Sequence, residues 1–214
     1  LKKEGHKIEV FDTTYYSTDH GNNSDGSKEE GLNVVPFSLE MQKRGLVPKT
    51  TKWEDDIKIQ VDKFNPDLIA LSSTEDMWEL GIKLLREIRY YIKKKNVPVI
   101  AGGVFPTFAP DICIEDENID LVCVGEGENA LIDLCKKIEI GQDYSDVTNL
   151  WVKKDGKIIK KNPITKPVDI NKNPIIDTEI FEEKRLYRPM AGKVYKMFPV
   201  ETIRGCPFTC KFCN

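Results

Sequence analysis

The sequence predicts an α/β fold: a doubly wound parallel sheet of the flavodoxin-like kind, covered by helices on both faces. The first indication is alternation, because between residues 53 and 138 segments with apolar residues at helical spacing take turns with short apolar runs. The second is the nearly continuous apolar character of those runs, which is typical of strands buried on both faces. The length of 214 residues allows one full domain and part of another.

Residues that stop helices mark the element boundaries. The first helix of the alternation has Ile57 and Val61 on one side and ends before Pro66. At the start of the chain, Lys3 and Gly5 are typical of the last turn of a helix, so we expect a strand and most of a helix to precede it. The predicted helices cover residues 54–64, 77–95, 110–117 and 126–138, and the predicted strands cover residues 6–12, 68–71, 97–101 and 119–124.

The pattern changes after residue 141. Asp155-Gly156 lies between two short runs of apolar and lysine residues, and this pair is typical of a tight hairpin turn. A segment punctuated by prolines follows, and a further predicted strand over 198–203 leads into a group of cysteines. We therefore divide the chain into an α/β domain (1–141), a hairpin and linker (142–196) and the start of a β/α barrel (197–214).

Composition excludes several classes of protein. The 32 basic and 35 acidic residues give a net charge of −3, which disfavours broad binding to nucleic acid or to an acidic membrane. Residues 150–196 carry a basic excess, but no aromatic pattern accompanies it, so a solvated hairpin and linker is the preferred interpretation. No apolar run reaches the roughly 18 residues of a transmembrane segment. We expect a cytoplasmic protein with no transmembrane segment and no nucleic acid partner.

Three of the six cysteines lie within eight residues, as Cys206-x3-Cys210-x2-Cys213. Three thiolates can hold three corners of a cubane iron–sulfur cluster and leave its fourth iron open to an outside ligand. A structural zinc site usually has four protein ligands, and it stays open here as the alternative. The other cysteines stand alone in apolar segments and are interpreted as small buried hydrophobic residues: Cys113, Cys123 and Cys135.

This cysteine loop resembles the signature of the radical S-adenosylmethionine (SAM) superfamily. Arg204-Gly205 precedes the first cysteine, and Pro207 and Phe212 lie within the loop. The resemblance implies a barrel of β/α units whose first strand leads into the loop. It also implies that the three cysteines hold a [4Fe-4S] cluster, that SAM binds the open iron, and that reduction cleaves SAM to methionine and a 5′-deoxyadenosyl radical.

Small residues follow the predicted strands, at the edge of the sheet where ligands of open α/β folds usually bind. Hydroxyl groups and paired glycines let a bulky ligand approach the backbone, although each such loop alone is also typical of a tight turn. Because several of these loops share one rim, we predict a ligand cleft there. Its candidate residues are Ser72, Ser73, Thr74, Gly102, Gly103, Phe105, Gly125, Glu126 and Gly127.

Together with the cysteine loop, this rim resembles the cobalamin-binding domain that precedes the radical barrel in one branch of the superfamily. The matching segments run through most of the chain, and the one at 125–128 is the most distinctive: residues 5–10, 66–73, 102–107 and 120–128. It implies that the serine pair and the glycine pair line a cleft for the nucleotide tail of cobalamin. It also implies that the loop with the cobalt-ligating histidine of many relatives precedes this chain, so neither His6 nor His20 is expected to be a ligand.

Three rim residues allow two interpretations each. For Glu126 and Glu128 we favour stabilisation of a helix N-terminus, with a hydrogen bond to the cofactor as the alternative. The aromatic ring of Phe105 is suited to packing either on the corrin ring or on the protein core.

We therefore predict part of a cobalamin-dependent radical SAM enzyme that performs methyl transfer or related radical chemistry. The expected substrate is a small molecule, such as a natural product, lipid or tetrapyrrole, and the expected electron donor is a flavodoxin or ferredoxin. We expect the 214 residues alone not to turn over. Two alternatives stay open: a radical SAM protein whose α/β domain no longer binds cobalamin, and a non-catalytic carrier of cobalamin or metal.

Overall fold

The α/β class is confirmed by a computed structural model, which describes residues 1–16, 43–190, 193–206 and 208–211. The strands are β1 (Ile69–Ser72), β2 (Val99–Gly102), β3 (Leu121–Cys123), β4 (Leu150–Lys154), β5 (Lys157–Lys161), β6 (Tyr187–Met190) and β7 (Lys193–Lys196). The helices are α1 (Trp53–Phe64), α2 (Trp78–Glu87), α3 (Arg89–Lys95), α4 (Val104–Phe108), α5 (Pro110–Glu115) and α6 (Glu128–Glu139).

The main sheet has five strands in the order β1-β2-β3-β4-β5. The first three are parallel, with Ile69 opposite Val99 and Ile100 opposite Leu121. β4 then pairs antiparallel with β3, and β5 pairs antiparallel with β4, so the sheet is mixed rather than wholly parallel. The predicted hairpin is therefore part of the main sheet, which continues past residue 141 to Lys161.

Two hydrophobic clusters lie on opposite faces of the sheet, because successive residues of a strand point to opposite sides. Val99 and Val122 pack with α2 and α5 in one cluster. Ile100 and Leu121 pack with α6 in the other. Burial of β2 and β3 on both faces confirms the interpretation of their continuous apolar runs.

The residues predicted to end helices and to form the hairpin turn largely do so. Residues Lys2–Glu4 form a single 3-10 turn that ends at Gly5 in the left-handed conformation (φ 92°). Asn65 ends α1 in the same conformation (φ 53°). Asp155 and Gly156 turn the hairpin with φ values of 52° and 73°.

Three sequence predictions about elements are wrong. Residues 77–95 form two helices, because the backbone at Ile88 departs from helical geometry (φ −102°, ψ 12°). Residues 6–12 form no strand, and β1 has a ladder with β2 alone among the described residues. Residues 198–203 form no strand either. A strand needs a hydrogen-bonded neighbour, and an apolar pattern does not supply one.

The antiparallel pair β6–β7 forms a separate two-stranded sheet just before the cysteine loop. It was not predicted from the sequence. Across the described ranges, every helix falls short of the length and apolar character needed to cross a bilayer.

Candidate functional site

The serine pair and the glycine pair meet at the carboxyl ends of β1 and β2. The backbone N–H of Ser73 donates to the carbonyl of Gly102 at 3.1 Å, and the N–H of Phe105 donates to the carbonyl of Ser73 at 3.3 Å. The Ser73 hydroxyl donates to the carbonyl of Thr74 at 2.7 Å. Ser72 and Thr74 are exposed, whereas Ser73 is buried. The structure thus brings together the candidates predicted on these two loops.

Gly103 occupies a position that only glycine fits. Its φ of 96° and ψ of −164° belong to a region essentially restricted to glycine. A Cβ atom there would lie 3.0 Å from the Ser73 carbonyl oxygen and 3.1 Å from the Ser72 hydroxyl oxygen. The glycine therefore keeps the two loops in close contact and leaves the backbone of the rim accessible from outside.

Thr107 joins these loops to the one after β3. Its hydroxyl donates to the carbonyl of Gly103 at 2.8 Å and accepts the N–H of Gly125 at 3.1 Å. Gly125 also has a positive φ of 83°. The candidate residues after β2 and β3 thus belong to one connected rim, through a threonine that was not among the predicted cleft residues.

A cavity of about 1250 Å³ opens beside β1. It lies between residues 8–15 and the edge strand β1, beneath α1 and α2, and Phe181 and Arg185 also line it. Ser72, Ser73, Thr74 and Gly103 are among its lining residues. The remaining candidates do not line this cavity: Gly102, Phe105, Gly125, Glu126 and Gly127.

The ring of Phe105 packs edge-on against the ring of Trp78, with centroids 5.5 Å apart and an interplanar angle of 61°. Phe105 also packs against the main hydrophobic cluster. Packing on the protein core therefore explains why an aromatic residue occupies position 105.

The carboxylates of Glu126 and Glu128 both contact Arg204, beside the cysteine loop. The guanidinium Nη1 lies 3.1 Å from Glu126 Oε1 and 2.7 Å from Glu128 Oε1. Nη2 and Nε of Arg204 contact the carboxylate of Glu201 at 2.7 and 3.0 Å. The hydrogen bonds that the guanidinium donates to these three carboxylates, with Glu201 contributing most, raise the pKa of Arg204 above its usual range. Glu128 lies in the first turn of α6, where a carboxylate interacts favourably with the helix dipole as expected, although no side-chain hydrogen bond caps this N-terminus.

Asn149 is a residue of the site that sequence reasoning missed. It is buried, has a positive φ of 66°, and its amide nitrogen donates to the carbonyl of Glu126 at 3.0 Å. Its amide oxygen accepts both the N–H and the hydroxyl of Thr165 at 2.9 Å. One side chain thus holds the loop after β3 against the linker. The only signal in the sequence is the turn propensity of asparagine, which does not reveal these distant partners.

We expect Asn149→Ala to lower the free energy of unfolding by about 2–4 kcal/mol, because buried hydrogen-bond partners lose their donor or acceptor and alanine disfavours the positive φ. Urea unfolding followed by circular dichroism measures this. Asn96→Ala is the matched control, since Asn96 has a φ of 52° but is exposed at the end of α3. An equal loss in both variants would show that backbone conformation, not the hydrogen bonds, matters at Asn149.

Two of the three isolated cysteines are buried as predicted, whereas Cys135 is only half-buried. Cys206 and Cys210 are exposed, and Cys213 lies outside the described residues. Cys113 and Cys123 are buried, and burial raises the pKa of their thiols to about 12 and about 11. Such thiols stay protonated at neutral pH and are poor metal ligands.

The family model described as "B12 binding domain" matches residues 31–134. This range contains β1, β2, β3 and the rim residues that follow them. Residues 31–134, just under half of the chain, are thus similar to a B12-binding domain. The resemblance drawn from the rim is thereby confirmed, and cobalamin is the ligand that this family binds.

The chain is also similar in sequence to curated proteins. An uncharacterized methyltransferase of Pyrococcus horikoshii is 28% identical over 167 residues, which are 74% of this chain and 34% of that protein. The anaerobic magnesium-protoporphyrin IX monomethyl ester cyclase of Rubrivivax gelatinosus is 28% identical over 170 residues, which are 75% of this chain and 29% of the cyclase. The chain thus spans about a third of the length of these relatives.

Among solved structures, the chain is similar to the cobalamin-dependent S-adenosylmethionine radical enzyme OxsB with aqua-cobalamin and S-adenosylmethionine bound. The TM-score is 0.49 at 21% identity, and the match covers 67% of this chain and 22% of OxsB.

Proposed function

We propose that this chain is the cobalamin-binding and cluster-binding part of a radical SAM enzyme that uses cobalamin for methyl transfer or related radical chemistry. The observation that carries the proposal is the presence, in one chain, of a B12-binding domain and of Cys206-x3-Cys210-x2-Cys213. A carrier of cobalamin alone needs no such loop, and a zinc site needs a fourth ligand.

The rim fits a large cofactor with many polar groups. Gly103 leaves backbone exposed beside the hydroxyl groups of Ser72 and Thr74, and these groups lie at the mouth of a cavity of about 1250 Å³. We assign Ser72, Ser73, Thr74, Gly102 and Gly103 to the nucleotide tail of cobalamin. Gly125, Glu126 and Gly127 belong to the next loop of the same rim, after β3. Phe105 supports the rim by packing on Trp78.

The cysteine loop fits a cluster with one open iron. Cys206 and Cys210 are exposed, so their thiols are available to an inorganic cluster, and Cys213 is the third ligand in the proposal. When bound, the [4Fe-4S] cluster supplies the electron for reductive cleavage of SAM. The cysteines keep it attached to the chain, and Arg204 connects the loop to the rim.

The reaction class also defines the partners. For methyl transfer to carbon or phosphorus, our candidate substrate is a small molecule such as a tetrapyrrole, a lipid or another natural product. A flavodoxin or ferredoxin would deliver electrons to the cluster, in the reducing cytoplasm where thiolate ligands persist.

Titration of the intact protein with hydroxocobalamin tests the first half of the proposal. We expect a change in the visible spectrum that saturates near one equivalent. Anaerobic reconstitution with iron and sulfide tests the second half, with an expected content of about four irons per chain.

The combination of results separates the three functions. A cluster without cobalamin binding would favour the radical SAM protein whose α/β domain has another role. Cobalamin binding with stoichiometric zinc, or with no metal, would favour the non-catalytic carrier.

A further inference from the structure

Arg204 contacts acidic side chains from two distant parts of the chain. Glu201 belongs to the same segment, whereas Glu126 and Glu128 follow β3 and are 78 and 76 residues away in sequence. The three carboxylates together fill Nε and both terminal nitrogens of the guanidinium, at distances of 2.7 to 3.1 Å. A planar guanidinium is suited to such a multidentate contact, and lysine is not.

This contact is better protected than an ordinary surface ion pair. The side chains of Arg204, Glu126 and Glu128 are 30%, 23% and 33% exposed. A single exposed ion pair contributes little to stability, whereas an arginine that contacts several carboxylates in one network can contribute measurably. A network of this kind can therefore fix the position of a segment.

The segment before the cysteines has little else to hold it. Val200 and Ile203 are 80% and 75% exposed, so apolar packing does not anchor them. The two acids of the rim meanwhile also bind the linker, since Glu126 accepts the N–H of Val168 and Glu128 accepts the amide of Asn173 at 3.5 Å. Rim, linker and cysteine loop thus meet at one guanidinium.

We propose that Arg204 is a positioning residue that holds the cysteine loop against the rim of the B12-binding domain through Glu126 and Glu128. The inference deepens the proposed function, because it explains how a cluster on this loop is kept beside the cobalamin rim.

Limited chymotrypsin digestion of the chain without cofactors tests the contact, because cleavage after the exposed Phe198 requires the surrounding segment to detach and enter the protease. We expect Arg204→Gln and Glu128→Gln each to accelerate this cleavage by about tenfold, which corresponds to about 1.4 kcal/mol. The double variant should add little to either single one, because both remove the same contact. Arg89→Gln is the matched control, since Arg89 makes a two-pronged pair with Glu117 at 2.7 and 2.8 Å, far from this segment in sequence.

Unchanged cleavage in Arg204→Gln, or full additivity in the double variant, would overturn the proposal. Cleavage accelerated equally in Arg89→Gln would do the same, because the effect would then be general. This experiment needs neither cobalamin nor iron, so its failure is distinct from failure of the proposed function.

The midpoint potential of the reconstituted cluster supplies a readout that a purely structural role would not give. The reduced cluster carries one more negative charge than the oxidised one. Loss of the positive charge of Arg204 should therefore move the midpoint potential to more negative values, and loss of the negative charge of Glu128 should move it to less negative ones. Shifts of the same sign in both variants, or none, would show that the guanidinium does not lie beside the cluster.

Discussion

Cys210→Ala is expected to abolish the iron–sulfur absorbance of the reconstituted chain. The cubane proposed here has only three protein ligands, so removal of one leaves two thiolates for four irons. We expect the iron content to fall from about four to less than one per chain. Because Cys210 is exposed, its truncation leaves no cavity and the free energy of unfolding should change by no more than about 0.5 kcal/mol.

Cys135→Ala is the matched control for this prediction. Cys135 is half-buried on α6 and burial raises the pKa of its thiol, so it should contribute no ligand. The variant should retain the full iron content and absorbance. If Cys210→Ala kept the absorbance, or if the unsubstituted chain took up one zinc ion in place of iron, the radical chemistry would lose its source.

The sheet was predictable where local pattern and tertiary packing agree. β2 and β3 lie in the interior of the sheet, where continuous apolar runs such as Val99–Gly102 are required on both faces. The hairpin was predictable because Asp155 and Gly156 determine the turn locally. The pairing of this hairpin with β3 could not be predicted, because strand pairing depends on partners distant in sequence.

The two missed strands show the limit of periodicity. Residues 6–12 and 198–203 have strand-like composition, yet neither has a hydrogen-bonded neighbour in the described part of the chain. An apolar pattern indicates which side chains suit a strand, but it does not show whether a neighbouring strand supplies the hydrogen bonds that stabilise it. The break at Ile88 within the predicted helix 77–95 is likewise a backbone event that leaves the apolar spacing unchanged.

The position of the candidate site could be predicted from the strand topology, but the side-chain contacts within it could not. The carboxyl ends of parallel strands lie at one edge, which placed Ser72 and Gly103 correctly without knowledge of side chains. The pairing of Glu126 and Glu128 with Arg204 links residues more than 70 positions apart and has no local signal. Asn149 is similar, since its role depends on Thr165 and on the carbonyl of Glu126.

Gly103→Ala is expected to weaken cobalamin binding by about tenfold or more and to lower the free energy of unfolding by about 2–4 kcal/mol. The new methyl group would lie 3.0 Å from the Ser73 carbonyl oxygen and 3.1 Å from the Ser72 hydroxyl oxygen, so the loops after β1 and β2 must separate. Cobalamin titration followed by visible absorbance, together with urea unfolding, measures both effects.

Gly156→Ala separates backbone strain from the effect on the rim. Gly156 has a φ of 73°, and a Cβ atom there would meet nothing within 4 Å. We expect this variant to lose about 1–2 kcal/mol of stability and to bind cobalamin normally. Ser72→Ala provides a second test in a variant that folds without strain, because the side chain is exposed at the mouth of the cavity. Normal cobalamin affinity in both Gly103→Ala and Ser72→Ala would place the cofactor away from this rim. The first variant separates the two loops, and the second removes a polar contact that a ligand lying across them would use.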